Sequence, residues 1–191
     1  MKRLTLALVL LGAFLLVFSS FVFSQEKAKS EQKTFKYIGT FKCKLCHNTP
    51  AKGKVYDWWA GEKHSKAYLT LANEQSKKIA KGMGIADAQK SEKCLVCHVT
   101  GYKAPATQKD VKYSMEEGVT CEACHGPGEA YQAWKYMKDP ALAAKEAGLI
   151  KPTNEVCITC HNKKSPTYKE FSFEVAKKQI EHGPPPPPPA K

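Results

Sequence analysis

One five-residue pattern, Cys-x-x-Cys-His, occurs four times in this 191-residue chain and constrains its fold more than any other feature. The copies are Cys43–His47, Cys94–His98, Cys121–His125 and Cys157–His161. They use all eight cysteines and four of the six histidines. The pattern is the attachment signature of c-type haem, in which two thiols add to the haem vinyl groups and the histidine binds the iron. The sequence therefore predicts four covalent haems c per chain.

Other chemistries of paired cysteines explain this pattern less well. Structural zinc sites use Cys-x-x-Cys but need no histidine directly after each second cysteine. A thioredoxin-like motif would occur once, near a βαβ unit, and a disulfide framework tolerates any spacing. The predicted attachment thiols are Cys43, Cys46, Cys94, Cys97, Cys121, Cys124, Cys157 and Cys160, and the predicted proximal iron ligands are His47, His98, His125 and His161.

The chain begins with a segment typical of secretion. Lys2 and Arg3 precede an apolar run from Leu4 to Phe23, and Ser24 permits cleavage before Gln25. We expect residues 1–24 to be a signal peptide and the mature protein to be periplasmic or extracellular. The run is near transmembrane length, so an uncleaved membrane anchor is the alternative. Either outcome agrees with haem c, which is attached outside the cytoplasm.

The composition predicts one compact domain between two irregular ends. Residues 25–36 are rich in Lys and Glu and predict a flexible leader. Residues 183–191 contain six consecutive prolines and predict an extended tail without a core. The domain itself is expected to span residues 37–182.

The net charge of +12 is typical of proteins that bind nucleic acid or membrane surfaces. Cleavage before Gln25 would remove Lys2 and Arg3, and the haem propionates would offset most of the remaining excess. We therefore expect no nucleic-acid partner and membrane contact only through an uncleaved anchor. A modest basic patch for an acidic redox partner remains compatible with the charge.

Hydrophobic spacing predicts a mainly α fold with extensive loops. A long helical region is expected over Lys52–Gly82, with Trp58 and Trp59 packed in its core. Asp139 and Pro140 are typical of a helix start, which predicts a helix over 140–147. Shorter helices are expected over 129–137 and 172–181, and no segment shows sustained period-two alternation. The sequence thus predicts the fold of a compact multihaem c-type cytochrome, in which the four haems would form much of the core.

The remaining iron ligands follow from a count of side chains. Four haems offer eight axial positions, and the histidines outside the motifs are His64 and His182. Both are predicted distal ligands, so at most two haems have two histidines. Met137 follows the Gly126–Gly128 turn and is the preferred methionine candidate, ahead of Met83 and Met115. An iron without a sixth protein ligand can bind small molecules such as nitric oxide.

The motifs and their surroundings resemble the tetrahaem cytochrome c-554 family. The resemblance covers most of Tyr37–His182, and its most specific parts are the Cys-His-Gly-Pro-Gly run and the His-Ser-Lys-Ala run. It rests on Cys43–His47, the segment from Trp58 through His64 to Ala67, Cys97–Tyr102, Gly118–Gly128 and Cys157–His161.

The resemblance implies a ligand set for the third and fourth haems. By position, His64 would be the distal ligand of the third haem, opposite His125. His182 would be the distal ligand of the fourth haem, opposite His161.

The first two haems are less regular. The resemblance implies that the second haem, bound by His98, is five-coordinate. Family members take the distal histidine of the first haem from the segment after Cys-His-Gly-Pro-Gly, but residues 131–137 contain no histidine. Met137 is the candidate partner of His47, and a His/Met pair would raise the potential of that haem above its bis-histidine neighbours.

The family function is electron transfer through haems packed in close pairs. The resemblance implies partners that are redox proteins: a donor oxidoreductase and an acceptor cytochrome or quinone-linked protein. A carrier is favoured over an enzyme. Two alternatives remain: a reductase of nitric oxide, nitrite or hydroxylamine at the second haem, near Tyr102 and Lys103, and a subunit of a polymeric cytochrome wire.

Overall fold

A computed structural model describes residues 33–182, and this part of the chain forms short helices joined by loops. The α-helices are α1 (Thr40–His47), α2 (Val55–Gly61), α3 (Ala67–Thr70), α4 (Glu74–Gly82), α5 (Glu92–His98), α6 (Cys121–His125), α7 (Trp134–Met137), α8 (Pro140–Glu146), α9 (Asn154–Ile158) and α10 (Phe173–Ile180). Short 3₁₀ turns span Pro50–Lys52, Ala106–Gln108 and Met115–Glu117. Over the described residues the only β pairing is one isolated bridge, Tyr37 with Lys109. The predicted mainly α, loop-rich fold is confirmed.

Several sequence predictions concern the chain ends. The predicted signal peptide and the proline-rich tail lie outside the described residues, as does most of the leader. The last leader residues are fixed, since the Lys36 N–H donates to the Glu129 carboxylate over 2.9 Å. Among residues 33–182, no helix combines the length and apolar character that a membrane crossing requires.

The prediction of one long helical region over Lys52–Gly82 is wrong. Helix α2 ends at Gly61, and Glu62 is extended, with φ −81° and ψ 163°. A second break precedes α4, where the Asn73 side chain accepts a hydrogen bond from the Ser76 N–H. The apolar spacing therefore belongs to separate helices. The breaks place His64 on a turn between α2 and α3.

The helix predicted from Asp139 and Pro140 is confirmed as α8. The Asp139 side chain accepts from the Leu142 N–H over 2.9 Å, and Pro140 occupies the first helical position. Two other helices are shorter than predicted: residues 129–137 contribute only α7, and 172–181 contain the slightly shorter α10.

Over residues 33–182, the hydrophobic core contains two small clusters. One contains Leu71, Leu95 and Val99 and lies beside the second motif. The other contains Tyr131 and Ala147 and lies beyond the third motif. In the described part of the C-terminal region, residues 151–182, no residue is buried. Side chains alone thus supply little of the core expected for a domain of this length.

One buried carboxylate joins the beginning of the domain to the third motif. Glu122 is 3% exposed, and its oxygens accept from the N–H groups of Ile38, Gly39 and Gly128 over 2.9, 2.9 and 2.7 Å. Burial raises the pKa of Glu122, and these three donors oppose the rise. The same carboxylate therefore holds the segment before α1 and the turn after α6.

Candidate haem-binding site

Three of the four motifs end a helix. His47 is the last residue of α1, His98 of α5 and His125 of α6. Because side chains at i, i+3 and i+4 share a helix face, each motif presents two thiols and one imidazole on the same side. In the fourth motif the N–H groups of Cys160 and His161 both donate to the Cys157 carbonyl, which retains a helical turn beyond α9.

The motifs meet one another through their cysteines. The Cys43 thiol lies beside that of Cys121 and the Cys97 thiol beside that of Cys160, and Cys124 is near enough to Cys157 for the two thiols to interact electrostatically. The Cys121 thiol and burial together raise the pKa of Cys43 above its usual range. Burial is the main cause that raises the pKa values of Cys97 and Cys124 to about 11, with further contributions from neighbouring thiols. The motifs therefore adjoin in the order first, third, fourth and second.

Backbone carbonyls orient three of the imidazoles. The Nδ1 atoms of His98, His125 and His182 lie 2.8, 3.3 and 3.0 Å from the carbonyl oxygens of Ala67, Ile150 and Ile180. A carbonyl only accepts, so Nδ1 carries the proton and Nε2 is left as the iron-binding nitrogen.

His64 faces His161. Their ring centroids are 6.1 Å apart and their planes are inclined by 74°. The His64 backbone is fixed, because its carbonyl oxygen accepts from the N–H groups of Ala67 and Val119. Burial lowers the pKa of His64, and the charge of His161 acts in the same direction. His64 is thus neutral near pH 7, the form that binds a metal.

His182 faces His125 in nearly the same geometry. The ring centroids are again 6.1 Å apart, with an interplanar angle of 80°. Burial also lowers the pKa of His125. On its other side the His182 ring packs against Trp58, with centroids 5.0 Å apart.

Both facing pairs fit an iron between the rings. A histidine nitrogen binds a transition metal at about 2 Å, so two rings that share one ion have centroids about 6 Å apart. The two observed separations of 6.1 Å match that spacing. Each pair contains one motif histidine and one histidine from outside the motifs. The geometry therefore suits haem iron with two axial imidazoles.

The facing partners differ from those that the family resemblance implies. His64 faces His161 instead of His125, and His182 faces His125 instead of His161. The reason is the break before α3, which directs His64 to the fourth motif, and the path of the chain after α10, which returns His182 to the third. Both pairs still combine one spare histidine with one motif histidine.

The second motif borders a cavity of about 590 Å³. Cys94, Cys97 and His98 line it, together with Met83 and the loop of residues 165–167. This volume is in the range of cofactor pockets. Among the residues that line the cavity, His98 is the only histidine. The second motif thus has room for a porphyrin without a facing imidazole.

His47 and Met137 were predicted to share the first haem. Burial lowers the pKa of His47, and the charges of Lys52 and His182 add to the effect. Met137 ends α7, is 39% exposed, and belongs to a helix that packs against α8. Its role as the partner of His47 stays a prediction.

Sequence reasoning missed three residues of the site. Glu122 occupies one of the two unspecified positions of its Cys-x-x-Cys-His motif. Nothing in the sequence indicates that its carboxylate joins two distant segments. Phe171 stacks on His161, with centroids 4.8 Å apart and planes inclined by 21°. Trp58 was assigned to core packing together with Trp59. Trp59 is buried, whereas Trp58 packs on His182.

All eight cysteines are free thiols. Over residues 33–182, no three His, Cys, Asp or Glu side chains are grouped as metal ligands.

Comparison with known proteins gives one family and one relative. A family model described as cytochrome c554 and c-prime matches residues 42–126, which include the first three motifs. Cytochrome c-554 of Nitrosomonas europaea is 30% identical over 140 residues, a match that covers 65% of this chain and 57% of the relative. The chain thus matches little more than half the length of that relative. No solved structure matches the chain.

Proposed function

Because the chain belongs to the cytochrome c-554 family, we propose that it binds four haems c covalently and transfers electrons between redox proteins outside the cytoplasm. Haem c supplies one-electron chemistry at its iron. The observation that carries the proposal is the pair of facing imidazoles at 6.1 Å, His64 with His161 and His125 with His182. Each pair includes one motif histidine, and the two cysteines of that motif would hold the same haem.

The cysteine and histidine side chains of each motif would bind the haem at different atoms. In each motif the two thiols would hold the haem by thioether bonds, and the histidine would fill the proximal position. Nδ1–H bonds to backbone carbonyls leave Nε2 of His98, His125 and His182 free to bind iron and would strengthen these imidazoles as ligands. Two imidazole ligands give a lower potential than a His/Met pair.

The order in which the motifs adjoin suggests the route of the electron. Neighbouring thiols relate the first motif to the third and the fourth to the second, and the thiols of the third and fourth motifs are near enough to interact electrostatically. The first and second motifs thus lie at the two ends of this series. We propose that donor and acceptor approach these two ends.

Two axial positions differ from the facing pairs. We propose that the second haem is five-coordinate, with His98 as its only histidine, which agrees with the cavity that borders this motif. For the first haem we propose Met137 opposite His47.

The proposed compartment and partners follow from the same assignment. Haem c attachment requires export, so we propose a periplasmic or secreted protein with residues 1–24 as its signal peptide. The partners would be a donor oxidoreductase and an acceptor cytochrome or quinone-linked protein.

Absorption spectra of the oxidised and reduced protein test this function against a reductase. A carrier cycles reversibly, shows a mainly low-spin oxidised spectrum, and binds about one carbon monoxide per chain when reduced. Steady turnover of nitrite or hydroxylamine would favour the reductase instead. The cavity at the second motif is the one observation that favours this second candidate, since it gives access to a five-coordinate iron.

A further inference from the structure

We infer that Trp58 is a positioning residue for the axial ligand His182. The inference rests on the proposed function, in which His182 and His125 bind one iron. The Trp58 and His182 rings are 5.0 Å apart and inclined by 37°, although 124 positions separate them in sequence. On its other side, the His182 ring faces His125 at 6.1 Å. The imidazole therefore lies between the indole and the proximal histidine of the third motif.

His182 needs such a contact because little else holds it. Helix α10 ends at Ile180, and Glu181 is extended, with φ −63° and ψ 127°. His182 itself is exposed, and its hydrogen bond goes to Ile180, two residues before it. That bond sets the tautomer but does not connect residues 181–182 to the rest of the domain. The ring contact with Trp58 does so.

Trp58 belongs to a helix that is fixed independently of His182. Its neighbour Trp59 is buried and donates its indole N–H to the Val119 carbonyl over 3.0 Å. Helix α2 also packs against α1, which carries the first motif. Successive side chains of a helix point in different directions, so Trp59 anchors α2 while Trp58 presents its ring to His182. The indole thus offers a flat apolar wall that restricts rotation of the imidazole.

Phe171 provides an internal comparison, because it stacks on His161 of the other facing pair. His64, the distal member of that pair, is held by main-chain hydrogen bonds to Ala67 and Val119. Removal of Phe171 should therefore leave the distal ligand in place, whereas removal of Trp58 should release it.

The test counts irons that bind carbon monoxide per chain in the reduced holoprotein. His182→Ala should add one such iron to the wild-type number. Trp58→Ala should add a substantial fraction of one, and Trp58→Phe should restore the wild-type number. Trp134→Ala serves as the matched control, since it removes an indole that is 69% exposed.

A double variant separates positioning from general damage. If Trp58 acts through His182, Trp58→Ala adds nothing in the His182→Ala background, but it still adds its fraction in the His64→Ala background. An unchanged count in Trp58→Ala, or a further increase in the His182→Ala background, overturns the inference. If Trp58→Ala fails to mature with four haems, Trp58→Leu replaces it, with the same expected loss and the same contradicting results. An unchanged count in His182→Ala would instead overturn the ligand assignment itself.

Discussion

The N-terminal part of the domain, residues 36–126, and its C-terminal part, residues 151–182, are held by different means. In the first, hydrogen bonds join distant segments. Glu122 accepts from Ile38 and Gly39, and the buried Thr100 hydroxyl accepts from the Thr120 N–H over 2.7 Å. The donors and acceptors of these bonds are all protein groups.

In the C-terminal part, the described side-chain hydrogen bonds are local. The Asn162 side chain, for example, donates to Ile158 and Thr159 within its own turn. Contacts with the rest of the domain come mainly from residues of the proposed haem sites: His161 faces His64, and His182 lies between Trp58 and His125. Hydrogen bonds between distant segments thus hold the N-terminal part together, whereas the C-terminal part would be attached to the domain through its haem ligands.

Removal of the fourth haem should have the largest effect on the difference between the two parts. We expect Cys157→Ser/Cys160→Ser to leave three haems per chain and to make residues 151–182 more sensitive to protease, because one of their two links to the domain is lost and only the contacts of His182 remain. Limited proteolysis with mass spectrometry of the fragments measures this. The matched variant Cys43→Ser/Cys46→Ser should keep most of residues 36–126 protected, and equal sensitivity of both parts would contradict the account.

Loss of the Glu122 carboxylate should destabilise the N-terminal part. We expect Glu122→Ala to lower the free energy of unfolding by about 3–5 kcal/mol, since each buried donor left without a partner costs about 1–3 kcal/mol. Glu122→Gln keeps one acceptor oxygen and should cost less. Guanidinium titration measures the difference, and Glu174→Ala, an exposed change on α10, serves as control. If Glu122→Ala lowers the free energy of unfolding no more than the control does, the Glu122 carboxylate does not hold these segments together.

Gly118 tests how the His64 segment is held. This glycine has φ +69°, and a methyl group there would lie 2.9 Å from the His64 carbonyl oxygen. Gly118→Ala should cost about 1–3 kcal/mol from backbone strain, and it should also displace His64 and add a fraction of a carbon monoxide site. Gly84→Ala is the matched control, because Gly84 has φ +68° but open space around it. The account fails here if both variants keep the wild-type carbon monoxide count.

Loss of local hydrogen bonds in the C-terminal part should have the smallest effect on the free energy of unfolding. Asn162→Ala removes three hydrogen bonds within one exposed turn and should change the free energy of unfolding by about 0.5 kcal/mol or less. Thr100→Val, which removes a buried hydroxyl from the N-terminal network, should cost about 1–3 kcal/mol. A reversed order of the two effects, measured by the same titration, would contradict the comparison.

The sequence predicted what depends on local spacing. The four motifs, the helical fold and the Asp139–Pro140 helix start are each determined within a few residues. The choice of His64 and His182 as candidates also needed only a count of side chains. Both face motif histidines at a separation that fits iron.

What the sequence did not predict depends on long-range placement. Apolar periodicity over 52–82 is the same for one helix or several, so the breaks that direct His64 to His161 were missed. Trp58 and Trp59 are identical residues in adjacent positions, and only the fold shows that one is buried while the other contacts His182. The family model ends at residue 126, before the fourth motif and His182, so it offers no guide to the C-terminal partners.

The central claim is that all four motifs bind haem covalently, and a haem count tests it most directly. The pyridine haemochrome assay gives haem per protein, and mass spectrometry of the denatured chain shows what remains attached. The account predicts four haems per chain and a mass increased by four haem groups. Two or fewer haems per chain, or haem that dissociates on denaturation, would contradict it.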